Sequence, residues 1–176
     1  MKVALFVSRN KDNKEVQNFK PRSKSFVFNE EQNIEDKFLA FVNEGVENEL
    51  SRMYISVNKR NEEKIRKQLI CELVTNENLS LTKIETKIAS IAMQAENAEE
   101  KQWLFDFDEP KEEDAKIFTE DVKKYGNCNA WYKQTKNGFA VVSEHGFDTR
   151  ELLEKYSHFD VTLKRDAMLF VKSCKK

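Results

Sequence analysis

Apolar residues in this chain fall into short groups whose spacing switches between two residues and three-to-four, and that switch is the strongest limit on its fold. A period of two sends successive side chains to opposite faces of a strand, whereas recurrence at three and four residues draws one stripe along a helix. Met53-Tyr54-Ile55-Ser56-Val57 alternates, while Ile34, Phe38, Phe41, Val42 and Val46 follow the helical spacing. Runs such as Ala4–Val7 and Phe139–Val142 fall far short of the ~20 apolar residues of a bilayer-spanning helix, which argues against a membrane role. The N-terminus has neither the apolar length nor the small-residue cleavage site of a signal peptide, so the expected location is the cytoplasm. The 176 residues include thirteen Phe, two Trp and four Tyr. At that length folding buries roughly 70% of the unfolded surface, enough for a core that needs neither metal nor disulfide. Cys71, Cys128 and Cys174, odd in number and without C-x-x-C, read as buried thiols of a reducing compartment.

The expected class is α+β, with a mixed or mainly antiparallel sheet packed with three to five helices. A strand, a polar loop around Asp12-Asn13 and Pro21, and a second strand Ser25–Phe28 open the chain; a helix follows from about Glu31. Asn61 suits the cap of a second helix, whose buried face would be Ile65, Leu69 and Leu73 with Ile70 and Val74 beside them. Thr82-x-x-Glu85 fits a capping box for a third, presenting Ile84, Ile88, Ile91, Ala92 and Ala95 inward. Trp103–Asp108 reads as a strand, Pro110 as the first residue of a helix with face Ala115, Phe118 and Val122, and Ala130–Gln134 with Phe139–Val142 as a hairpin. Asn137-Gly138 favours a tight turn with positive φ. A short helix from Asp148 and strands around Phe159–Leu163 and Met168–Val171 close the chain. Residues 1–50, a candidate small lobe, and 51–176, the α/β core, are expected to form one compact domain.

The formal net charge of −1 conceals an asymmetry. Residues 1–29 carry seven basic side chains against two acidic; residues 94–121 carry eleven acidic against three basic. The first patch suits a polyanion and the second a cation or a basic protein partner, although most charge runs are solvated faces.

Inside the acidic block, Trp103-Leu104-Phe105-Asp106-Phe107-Asp108 sets two carboxylates on one side of a strand end, where both reach one point. A hard divalent cation, Mg²⁺ or Mn²⁺, takes such oxygen ligands. The competing reading makes Asp108 a helix cap and Asp106 an exposed strand-end residue. The chain has no G-x-x-x-x-G-K-[ST], G-x-G-x-x-G or G-x-S-x-G, and its four glycines argue against a phosphate-cradling loop. The D-x-D pair, the following helix and the Gly-containing hairpin together resemble the archaeo-eukaryotic primase superfamily over about residues 102–170. The resemblance implies a primase-polymerase-like core and metal-dependent nucleotidyl transfer. Asp106 and Asp108 would then be the metal pair, Asp166 a third acid, and the segment Thr135–Ala140 the phosphate-contacting motif. That motif places a His where this chain has Ala140. Lys133, Thr135, Lys136 or His145 would have to supply the phosphate contact instead. Haloacid-dehalogenase phosphatases also end a strand in D-x-D but follow it with x-Thr, where this chain has Glu109-Pro110.

Nucleic acid could be gripped by Lys20, Arg22, Lys24, Lys59 and Arg60, with Tyr54 or Trp131 as a stacking platform. Two alternatives stand beside the enzyme: a catalytically inactive nucleic-acid-binding module, and an interaction protein docking through residues 94–121. High Lys and Asn with few Gly and Pro is the style of small phage proteins from AT-rich genomes.

Overall fold

The computed structural model describes residues 1–29, 31–108 and 111–176. The Glu109-Pro110 pair, and with it the expected helix start at Pro110, lies outside them. In chain order the elements are β1 (Lys2–Ser8), β2 (Arg22–Phe28), α1 (Ile34–Asn43), β3 (Leu50–Ser56), α2 (Glu62–Thr75), α3 (Ile84–Ala92), β4 (Trp103–Phe107), α4 (Glu112–Gly126), β5 (Ala130–Gln134), β6 (Phe139–Ser143), α5 (Arg150–Lys155), β7 (Val161–Lys164) and β8 (Met168–Lys175). This is an α+β chain with two four-stranded antiparallel sheets and five α-helices among the described residues. It divides into two compact units, residues 1–99 with 170–176, and residues 100–169.

In the first unit the strand order is β2-β1-β3-β8. Because β3 pairs with β1, Ala4 opposite Ile55, residues beyond 50 complete the sheet that the first strands begin. Phe6, Phe26, Phe38, Phe41 and Met53 build the core between this sheet and α1. α1 starts at Ile34 rather than Glu31 because the Asn33 side chain accepts the N–H groups of Glu35 and Asp36 at 3.1 and 3.3 Å. Asn61 caps α2 as expected, accepting the Lys64 N–H at 2.9 Å. The Thr82–Glu85 box does not form: α3 begins at Ile84 without a side-chain cap, and the Ser80 and Thr82 hydroxyls bond each other at 2.8 Å. On α2 only Ile65 is buried, and Ile70, Leu73 and Val74 face outward. The cysteines are free thiols, Cys71 exposed and Cys128 and Cys174 half-buried, which corrects the expectation of burial.

A buried carboxylate anchors this unit. Glu49 takes the Arg22 Nε–H at 2.7 Å on one oxygen and the Val46 N–H at 3.0 Å on the other. Gly45 makes room for it, since a Cβ there would stand 2.6 Å from the carboxylate. Burial pushes the Glu49 pKa up, but bonds from Ser8, Val46 and Arg22 outweigh it and the carboxyl titrates below its ordinary value. A depressed folded-state pKa adds stability above the unfolded value, and that stability is lost as pH falls through the folded one. Glu49→Gln is expected to cost about 3 kcal/mol at pH 7, because it strands a half-buried guanidinium. In urea denaturation the gap from wild type should narrow below about pH 4.

The second unit runs β4-α4-β5-β6-α5-β7 with strand order β5-β6-β4-β7 and every neighbouring pair antiparallel. This is the split β-α-β arrangement. Phe105 and Phe107 pack on Ala115, Phe118 and Val122 of α4 and on Leu152 and Tyr156, with Phe118 and Tyr156 ring centroids 4.7 Å apart. The Tyr156 hydroxyl donates to Asp121 at 2.6 Å and ties α5 to α4. α4 stops at Asn127, whose φ of 45° is the left-handed conformation that asparagine tolerates. The hairpin departs from expectation. Positive φ is confined to Asn18, Asn48 and Asn127 among the described residues, so Asn137 and Gly138 turn without it, and the Thr135 N–H bonds the Gly138 carbonyl at 2.8 Å.

Candidate functional site

Alternation along β4 sorts its residues onto two faces. Phe105 and Phe107 enter the core, so Leu104 and Asp106, and Asp108 just beyond the strand, project from the other face. The ladders then fix their neighbours. Asp106 stands opposite Ala140 on β6 and Thr162 on β7, and Ala140 in turn stands opposite Lys133 on β5. One row across the sheet therefore reads Lys133, Ala140, Asp106, Thr162. The next row toward the β4 C-terminus holds Gly138, Asp108 and Asp160, where the Asp108 N–H donates to the Asp160 carbonyl at 3.0 Å. Thr135, which bonds Gly138, and Lys136 sit in the hairpin turn at this same end.

Asp106 is one-third exposed and forms an ion pair with Lys164, which projects from β7 one row away. Lys133 lies two strands from Asp106, roughly 10 Å between backbones, with only the small Ala140 between them. It is half-buried, and no carboxylate pairs with it among the described residues. The N-cap of α4 is Lys111, without a side-chain bond.

Two expected members fall elsewhere. His145 follows Ser143, which pairs with Trp103, so it leaves the sheet at the end of β4 remote from Asp108. Ser143 is already about 10 Å along the strand from the level of Asp106. The His145 ring lies exposed, its Nδ1 3.0 Å from the Gly146 carbonyl. Asp166 follows Lys164, which pairs with Leu104, and is carried toward that same remote end. Neither joins the D-x-D pair. The acid that does come alongside is Asp160, for which only the antiparallel pairing of β4 with β7 gives a signal. No three His, Cys, Asp or Glu side chains converge closely enough to enclose a metal among the described residues.

The basic candidates lie in the first unit and differ in fate. Lys20, Lys24 and Lys59 are exposed. Arg22 is committed to Glu49 and stacks 3.9 Å over Phe41, and Arg60 is fully buried, so these two guanidinium groups serve the fold. Tyr54 packs edge-on against Phe170, whereas Trp131 is 46% exposed on β5. The acidic block divides between the units at Glu99 and Glu100. Glu112, Glu113 and Asp114 occupy the first turn of α4, where they complement the helix dipole. A hydrogen bond from Tyr132, then one from Lys116, holds the Glu112 carboxyl below its ordinary pKa.

Comparison of the chain with protein-family models, with curated proteins and with solved structures finds no match in any of the three. The Asp106–Lys164 pair is solvent-accessible, and such pairs contribute little to folding. Lys164→Ala is expected to change stability by less than about 1 kcal/mol in urea denaturation.

Proposed function

We propose that the chain is a metal-dependent phosphoryl-transfer protein acting on nucleotides or nucleic acid, resembling a small primase-polymerase, with its site on the sheet face that carries Asp106, Asp108 and Asp160. The observation that carries this reading is the row Lys133, Ala140, Asp106: the position where the resemblance expects a phosphate-contacting side chain is the direct neighbour of the first carboxylate. Position 140 is an alanine, and Lys133, which no carboxylate meets among the described residues, stands on its far side.

The donors fit Mg²⁺ or Mn²⁺. They are hard oxygen ligands, and Asp106 already holds a cationic group, the Lys164 ammonium. Mg²⁺ is commonly held by one or two carboxylates with water and substrate phosphate, so a pair suffices without a closed protein cage. When bound, such an ion neutralises phosphate charge and activates a coordinated or attacking oxygen. Asp106 and Asp108 would hold it, and Asp160 would add a carboxylate beside Asp108. Lys133 contributes a point charge to a phosphate oxygen across Ala140. Thr162, beside Asp106, offers a hydroxyl to the same space.

The burial of Ala140 favours a second reading, a nucleotide or nucleic-acid binder without turnover, because no imidazole stands there to contact phosphate. Calorimetry with Mn²⁺, with and without nucleoside triphosphate, tests the first reading. Saturable binding is expected, reduced at least tenfold by Asp106→Asn or Asp108→Asn and less by Asp160→Asn. His145→Ala and Asp166→Asn should leave it unchanged. Equal binding in the Asp106→Asn/Asp108→Asn protein would overturn the assignment. Metal and nucleotide binding without transfer on a primed template would select the binder.

A further inference from the structure

β5 is the outermost strand on one side of the second sheet, and α4 runs beside its free edge. A single groove is lined by Lys116, Glu120 and Lys123 of the helix and by Ala130, Trp131 and Tyr132 of the strand. The ladder to β6 fixes which backbone groups of β5 face outward. The Thr135 N–H donates to the Gly138 carbonyl at 2.8 Å and the Glu144 N–H to the Asn129 carbonyl at 2.9 Å, so positions 129 and 135 both turn toward β6. Bonding alternates along an antiparallel pair, so Trp131 and Lys133 also turn inward, and the N–H and C=O groups of Ala130, Tyr132 and Gln134 point away from the sheet. No strand meets them among the described residues. A row of this kind accepts another strand.

The surroundings of the edge say which strand fits. The outward set is symmetric about Tyr132: an antiparallel strand of the same sequence lays Tyr132 over Tyr132 and Ala130 over Gln134, closing about six backbone hydrogen bonds. That register sets Trp131, 46% exposed, opposite the second copy's Lys133, an aromatic face against an ammonium. Displacing it by two residues toward the turn would lay Lys133 over Lys133, which repels. α4 carries the same symmetry. Glu112, Lys116, Glu120 and Lys123 follow at four, four and three residues, one line of alternating sign within the helix and along the groove. Reversed end for end about a point near Phe118, the line sets Lys116 against Glu120 and Glu112 against Lys123. That point is level with Tyr132: Lys123 and Ala130 line the groove together, and the two strand residues from Ala130 to Tyr132 span roughly the length of four to five helix residues.

We infer that a second copy of the chain docks on this edge, β5 against β5 in antiparallel sense and α4 beside α4, about one two-fold axis that passes through Tyr132 normal to the sheet. Isologous surfaces have to be self-complementary, and here strand and helix are so about the same axis. α4 packs on both β5 and β6, so with the two edge strands about 4.8 Å apart the two α4 axes run roughly 10 Å from each other, a helix-packing distance. Two four-stranded sheets become one of eight. The row Lys133, Ala140, Asp106, Thr162 gains the second copy's Trp131 at its open end.

The interface is one short strand and one helix face, so Kd is on the order of 10 μM. Sedimentation equilibrium of the full chain from about 1 to 300 μM brackets that value. The expected result is a shift from 20.7 kDa toward twice that mass as concentration rises. Gln134→Pro removes one outward N–H at an exposed position and leaves the ladder to β6 in place, so it should weaken association at least about tenfold with an unchanged circular dichroism spectrum. Lys116→Glu and Glu120→Lys should each weaken association about tenfold, and the two together should restore it, because the pair across the axis is re-formed with its signs exchanged. Strand pairing with α4 on opposite faces of the sheet would not give that rescue. A chain that stays monomeric at the highest concentration overturns the proposal, and so does a dimer indifferent to Gln134→Pro or a charge exchange that fails to rescue. None of these readouts involves metal or nucleotide, so they are independent of the function proposed for the second sheet.

Discussion

The two-residue repeat of β4 is the constraint on which the second unit depends. Phe105 and Phe107 are fully buried against α4 and α5, each stabilising the core by roughly 2–3 kcal/mol. The same repeat sends Asp106 and Asp108 to the opposite face. Sliding the strand by one residue would expose both rings and turn a carboxylate into the core, where an uncompensated charge costs several kcal/mol. Core packing and the position of the carboxylates are thus fixed together. Pairing with β6 and β7 extends that single register across the sheet, setting Ala140 and Thr162 beside Asp106 and Asp160 beside Asp108.

The treatment of charge differs between the enclosed carboxylates and those of the candidate face. Glu49 is buried against Arg22, Asp12 receives both Arg9 and Arg52, and Asp121 takes Lys155 and the Tyr156 hydroxyl. Each of these carboxylates is enclosed and met by specific donors, the pattern required of ionised groups away from water. The sheet face around Asp106 differs. Its carboxylates are partly or fully exposed, Asp106 is met by a flexible ammonium, and Lys133 is half-buried without an opposing carboxylate among the described residues. Solvent-accessible carboxylates and ammonium groups gathered on one sheet face are candidates for a functional site.

Much of the fold could be read from the sequence because period and caps are local signals. The strands near 3–7, 53–57, 103–107 and 130–142, the α4 face of Ala115, Phe118 and Val122, and the Asn61 cap follow from neighbours within a few residues. What escaped was set by distant contacts. Nothing near residue 170 shows that β8 joins the sheet of β1–β3, and nothing near Asp160 shows that it comes to lie beside Asp108. For the same reason Asp166 and His145, which the resemblance groups with the pair, are carried by strand direction to the other end of β4. On α2 the helical period was legible but the number of its apolar faces was not, because spacing alone cannot distinguish a core stripe from an exposed one.

The balance of charge on the candidate face limits what either functional reading can require. Asp106, Asp108 and Asp160 stand with Lys164, Lys133 and Lys136, three charges against three, so a phosphate group arriving alone meets carboxylates as well as ammonium groups. Drawing Lys164 from Asp106 toward the phosphate would uncover a carboxylate. On the proposed reading a divalent cation would take the place of the ammonium at Asp106 and leave Lys164 for the phosphate. Cation and phosphate binding would then be linked, each raising the affinity for the other by the same factor. That linkage holds whether or not transfer follows. On these proposals the absence of an imidazole at position 140 would bear on turnover, while dependence of nucleotide binding on a divalent ion would be common to the enzyme and to the binder.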